Sequence, residues 1–188
     1  MQTTLHIKNV VCDRCKLTLQ DILQRLEIPY SKISLGEVVL EQPLTPVEKE
    51  KFIAELDQVG FSLLPDKNEQ LVNKVKSILI ELVYKEKAFG NKNLSEILKS
   101  QLGMDYSHIS NLFTKVEGKS IQNFYNNLQM ERVKELLEYG EMRIAEIAYD
   151  LGYSSAAYLS SRFKQATGCS PSEYKQKSIA NRKALDKV

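Results

Sequence analysis

"IAEIAYDLGYSSAAYLSSRFKQATGCSPSEY", residues 144–174, decides how this chain reads. Residues 94–124, "LSEILKSQLGMDYSHISNLFTKVEGKSIQNF", lie over it at a constant offset of 50, without a gap. Glu96 meets Glu146, Ile97 meets Ile147, Ser110 meets Ser160, Phe113 meets Phe163, Gly118 meets Gly168 and Ser120 meets Ser170. Leu94/Ile144, Ile109/Leu159 and Phe124/Tyr174 match in kind. A register that holds at both apolar and glycine positions marks one folded unit used twice.

Each copy reads as helix, glycine-containing turn, helix, glycine stop. In the second copy Ile144, Ile147 and Ala148 form the inner stripe of the first helix, and Leu151-Gly152-Tyr153 makes the turn. Leu159, Phe163 and Ala166 anchor the second helix, which Gly168 ends. This is the layout of a helix-turn-helix, whose second helix keeps one face for its core and offers the other to a major groove. Between the copies "NNLQMERVKELLEY", 126–139, reads as a long helix with Met130, Val133, Leu136 and Leu137 inward. Such a spacer sets two readers apart, and successive major grooves on one side of B-DNA lie about 34 Å apart. The competing reading is a helical bundle with an internal duplication and no nucleic acid.

With Ile109, Phe113, Leu159 and Phe163 committed inward, the first reader exposes Tyr106, Ser107, Ser110, Asn111 and Lys115. The second exposes Ser155, Ala157, Tyr158, Ser161 and Arg162, with Lys164 or Gln165 further along. Asparagine suits adenine, while serine and tyrosine hydroxyls more often hold phosphates. Lys115, Arg162 and Lys164 supply the salt-dependent part of binding.

The residues Ile147, Ala148, Gly152, Tyr153, Leu159, Ser160, Phe163, Lys164, Gly168, Ser170, Pro171 and Tyr174 carry a resemblance to the AraC/XylS transcription regulators. It covers roughly residues 70–175. The resemblance implies a seven-helix, double helix-turn-helix domain that binds double-stranded promoter DNA. Members similar to it commonly carry Arg or Gln where this chain has Asn111 and Ser161, which shifts the expected specificity toward DNA shape.

The first third has another period. "TLHIKNV", 4–10, alternates as a short strand, with Leu5 and Ile7 on one face and His6, Lys8 and Val10 on the other. A helical pattern follows through Leu17, Leu19 or Gln20, Leu23 and Leu26, about one turn apart, and ends at Ile28-Pro29. "KISLGEVVLEQ" supplies an antiparallel pair about Gly36. Thr45 as N-cap, Pro46 and Glu48 form a capping box that opens a second helix; Gly60 stops it, and "FSLLP" is a last strand. The expected fold is therefore α+β: a ferredoxin-like βαββαβ domain at 1–66, an all-α double helix-turn-helix domain at 67–178, and a basic tail at 179–188.

Cys12-Asp-Arg-Cys15 follows the first strand and opens the first helix. A helix N-terminus favours thiolate over thiol, and Arg14 adds to this. A thiolate pair suits soft ions such as Cu(I). Structural Zn(II) wants four ligands, which two chains would supply together as a metal-linked homodimer. A redox pair and an inert pair without ligand are the other readings. A βαββαβ unit with Cys-x-x-Cys after its first strand is similar to the heavy-metal-associated domain of copper chaperones and pumps, over about residues 3–65. In that family Gly and Met stand where this chain has Asn9 and Val10. Cys169, after the second glycine stop, reads as a small packing residue.

The 188 residues carry a net charge of +2, unevenly placed. Residues 1–68 hold 8 basic and 10 acidic side chains, 69–188 hold 18 and 14, and 155–188 hold 7 and 2. A basic C-terminal end fits a polyanion. No signal peptide and no apolar run near the ~18 residues of a membrane span are read here, which points to the cytoplasm and reduced thiols. With two histidines, no Ser/His/Asp set and no phosphate-cradling glycine loop, no enzyme is expected. The reading is a sequence-specific DNA-binding transcription regulator that answers to a soft metal or redox signal through the thiol pair. The alternative is a metal-handling, copper-chaperone-like protein with a helical interaction module.

Overall fold

The structure, a computed structural model, describes residues 3–84 and 93–180, without the side chains of 177–180. Of the expected basic tail, 181–188 lie outside the described residues. The chain forms two compact units: Met1–Ile78 with Asn111–Val116, and Leu79–Ser110 with Glu117–Val188.

The N-terminal segment runs β1 (Thr3–Lys8), α1 (Asp13–Arg25), β2 (Tyr30–Ser34), β3 (Glu37–Leu40), α2 (Pro46–Gln58) and β4 (Ser62–Leu63). It builds a four-stranded antiparallel sheet in the order β2-β3-β1-β4. The β2–β3 turn needs Gly36, whose φ is +72°, and a Cβ there would collide with the Asn73 side chain. Thr45 and Glu48 cap α2 reciprocally: the Thr45 hydroxyl accepts from the Glu48 N–H at 3.3 Å, and Glu48 accepts from the Thr45 N–H at 2.7 Å. Ile7, Leu19, Ile22, Leu23, Val38, Leu40, Phe52 and Leu56 are fully buried, each contributing about 1.5–3 kcal/mol of transfer energy.

One assignment to a face is overturned. Val10 is buried in the same core as Ile7, not on the opposite face. The strand ends at Lys8 and Asn9 takes φ +71°, so the two-residue alternation is reset before Val10. The Asn9 amide donates to the Gly60 carbonyl at 2.8 Å, which holds this left-handed residue in place.

Helices follow: α3 (Lys67–Tyr84), α4 (Leu94–Leu102), α5 (Tyr106–Glu117), α6 (Ile121–Tyr139), α7 (Ile144–Asp150), α8 (Ala156–Thr167) and α9 (Pro171–Ala180). Asp66 caps α3, and Asn73 on that helix donates to the carbonyls of Ile7 and Gly36 at 3.3 and 3.4 Å. The spacer helix begins at Ile121, five residues before the expected start, because Ser120 caps it by accepting from the Asn123 N–H. In the second unit α6 packs on α7 and α9, and α8 packs on α7 and α9. Tyr125, Met130, Val133, Leu137, Ile147, Ala148, Leu151, Leu159 and Phe163 fill the space between them. No helix among the described residues is long and apolar enough to cross a membrane.

Candidate nucleic-acid interface and thiol pair

The 50-residue offset survives in three dimensions. From 106 to 124 and from 156 to 174 the pattern of buried, half-buried and exposed residues is the same at every position. Ile109, Phe113, Leu159 and Phe163 are inside, as expected; Ala166 is exposed, so it does not anchor α8. The repeat also extends upstream: Val75, Leu79, Ile80 and Val83 of α3 are buried, as are Tyr125, Gln129, Met130 and Val133 of α6.

On α5 the outward residues are Ser107, Asn111 and Lys115, while Tyr106 and Ser110 are half-buried. On α8 they are Ala157, Tyr158, Ser161, Lys164 and Gln165, while Arg162 is half-buried. The Ser155 side chain caps α8, accepting from the Tyr158 N–H at 3.0 Å. The Arg162 guanidinium donates to Gln165 Oε1 at 3.2 Å. Each helix thus presents a polar, partly basic strip opposite its phenylalanine. Neither strip carries a carboxylate at these positions.

A buried clamp holds the turn before α8. Gln129 donates through Nε2 to the Leu151 carbonyl at 3.1 Å and to the Tyr125 hydroxyl at 3.3 Å, and its Oε1 accepts from the Tyr153 hydroxyl at 3.3 Å. Burial pushes the Tyr153 phenol up to about 12. Sequence reasoning missed Gln129, because it sits in an otherwise apolar stripe. Its signal was the offset itself, which sets it against buried Leu79. Further along, the Tyr174 ring meets Phe163 edge-on at 5.4 Å, and its hydroxyl donates to Glu138 at 2.9 Å.

Cys12 is the N-cap of α1 and Cys15 lies in its first turn, with the two Sγ atoms 3.2 Å apart. Both are half-buried rather than fully exposed. The Cys15 backbone N–H, above all, holds the Cys12 thiol below its ordinary range; burial opposes this, and the Cys15 thiol and Arg14 assist. His6 is engaged with Glu37 at 3.4 Å. Among the described residues no three His, Cys, Asp or Glu side chains gather to hold a metal. A two-sulfur set fits a soft ion of low coordination number; it does not complete a tetrahedral zinc site from one chain. Cys169 is half-buried beside Thr167, whose hydroxyl donates to the Cys169 carbonyl at 3.1 Å.

The family model that matches lies in the helical part, while one relative aligns over 90% of the chain. Residues 98–177 match the family model described as "Helix-turn-helix domain". An "Uncharacterized HTH-type transcriptional regulator" of Staphylococcus aureus is 29% identical over 170 residues, 90% of this chain and 22% of the relative. The "Msm operon regulatory protein" of Streptococcus mutans is 27% identical over 145 residues, 71% of this chain and 50% of the relative. The chain thus spans about a fifth and a half of these relatives' lengths. The C-terminal domain of AraT, a response regulator from Geobacillus stearothermophilus, shares the fold, with a TM-score of 0.52 at 23% identity over 65% of this chain and 94% of that one. Residues 98–177 are thus similar to a helix-turn-helix domain, and the relatives quoted bear the names of regulators.

Proposed function

We propose that the chain is a sequence-specific, AraC-type transcription regulator that binds double-stranded promoter DNA through the outward strips of α5 and α8. The observation that carries this reading is the repeated burial pattern: the same two faces, one apolar and one polar, occur twice at one offset. The helix-turn-helix match over 98–177 and the names of the two relatives support it. Asn111 and Ser161 make base-edge contacts; Ser107, Ser110, Tyr106, Ser155, Ala157 and Tyr158 pack along the sugar-phosphate backbone. Lys115, Arg162 and Lys164 displace counterions. The protein works in the cytoplasm, where its thiols stay reduced.

The N-terminal segment is, on this reading, a ferredoxin-like sensor of the heavy-metal-associated kind. The β2-β3-β1-β4 antiparallel order supports this, and so does Asn9, which stands where that family has Gly and adopts a φ glycine takes readily. Cys12 and Cys15 bind Cu(I) within one chain, or Zn(II) between two chains of a homodimer.

Selection of bound sequences from a random duplex pool, followed by gel-shift titration with and without Cu(I), Zn(II) or oxidant, tests both parts. Enrichment of a defined sequence is expected, with an affinity that changes on adding metal to wild type and not to Cys12→Ser/Cys15→Ser. A protein that enriches no sequence is not this regulator; one whose affinity ignores every additive is a regulator without this sensor.

A further inference from the structure

Beside α8 lies a cleft of about 580 Å³, lined by α6, the turn before α8, the start of α4 and two side chains of α8. Gln122, Asn126 and Gln129 come from α6, Tyr153 from the turn, and Tyr158 and Arg162 from α8. We propose that this cleft receives the sugar-phosphate backbone of the DNA strand bordering the groove that α8 reads, and that Gln122 and Asn126 are phosphate-positioning residues. The proposal rests on the DNA-binding reading above and adds contact residues on α6, which is neither of the two reading helices.

Three observations carry it. First, the lining holds amides, hydroxyls and one guanidinium but no carboxylate. That choice is local: α6 carries amides at 122, 123, 126, 127 and 129, and its acids begin only at Glu131, with Glu135 and Glu138 beyond. A polyanion is favoured by this partition, since no carboxylate on this stretch repels it. Second, the cleft is continuous with the outward strip of α8, because Tyr158 and Arg162 belong to both. Third, its floor is fixed and its lip is available. Gln129 is locked among Tyr125, Tyr153 and the Leu151 carbonyl. At the lip the exposed Gln122 donates to Asn126 Oδ1 at 3.0 Å, which leaves the Asn126 amide hydrogens to donate outward.

Neutral amides on phosphates fix position without releasing counterions, so their signature differs from that of a lysine or an arginine. In the full-length protein, titrated against random-sequence duplex DNA and against its selected sequence, Gln122→Ala/Asn126→Ala is expected to weaken both by the same factor, about tenfold, with the salt dependence unchanged. Arg162→Gln lowers the slope of log K against log salt by about one. Asn126→Asp weakens binding more than the double alanine change, and Asn126→Arg tightens it and steepens the slope, a gain that misfolding does not produce. Wild type that binds while Asn126→Asp and Asn126→Arg both match it overturns the cleft proposal and leaves the regulator reading standing. Wild type that binds no duplex at all overturns the regulator reading itself.

Discussion

The second helix of each copy is buried in the same pattern, residue for residue, whereas the first helices differ. α4 runs over nine residues and closes on Gly103 in the left-handed conformation; α7 runs over seven and turns through Leu151 and Gly152. The preceding helices also differ at their shared buried site, Leu79 in α3 and Gln129 in α6. The duplication has kept the probe and varied its mounting. An outward strip opposite a buried phenylalanine tolerates no change of period, because a shift of one residue rotates the strip by about 100°. The mounting only has to hold the probe, and apolar packing or a buried amide clamp each suffice.

Variants can break this comparison. The largest expected effect comes from Phe113→Ala and Phe163→Ala. Each empties a fully buried site and costs about 3–5 kcal/mol in denaturant titration. If the copies are equivalent, the two losses agree to within about 1 kcal/mol; a much smaller loss at one site makes that copy the looser. Next is Gln129→Leu, which gives the second copy the residue of the first. It leaves the Leu151 carbonyl and the Tyr153 hydroxyl without the partner they have now, and destabilises by about 1–3 kcal/mol. A neutral or stabilising result shows that the clamp is interchangeable with apolar packing.

Charge sharpens the comparison further. Asn111→Ala and Lys115→Ala are each expected to weaken DNA binding by about tenfold, but only the lysine change lowers the salt slope, by about one. The smallest effect is on pH. Burial raises the Tyr153 phenol from 10.0 to about 12, so the neutral form is favoured in the folded state. That contribution is complete below pH 10 and is lost as pH rises through about 12. Alkaline unfolding of Tyr153→Phe therefore begins at higher pH than in wild type.

Much of this was legible because periodicity survives folding. The offset between 94–124 and 144–174, the Thr45–Glu48 box, and the inward Ile109, Phe113, Leu159 and Phe163 are local patterns, and each has its counterpart in the structure. What was not legible depended on breaks in a period. Val10 goes inside because a single left-handed Asn9 resets the strand's parity, which no alternation count anticipates. Ala166 goes outside because the position one turn after Phe163 is Thr167, which is half-buried and donates its hydroxyl to the Phe163 carbonyl, and that leaves Ala166 beside it exposed. Gln129 was read past because its hydrogen-bonding partners lie on its own helix and 22 and 24 residues on, not in any motif.

The central claim is that the two outward strips read one duplex together. Methylation interference at guanine N7 on the selected sequence tests it most directly, since N7 lies in the major groove. Two clusters of interfering guanines are expected about 10 base pairs apart on one side of the helix, with Asn111→Ala erasing one cluster and Ser161→Ala the other. A single cluster that both variants erase together, or interference indifferent to both, would contradict it.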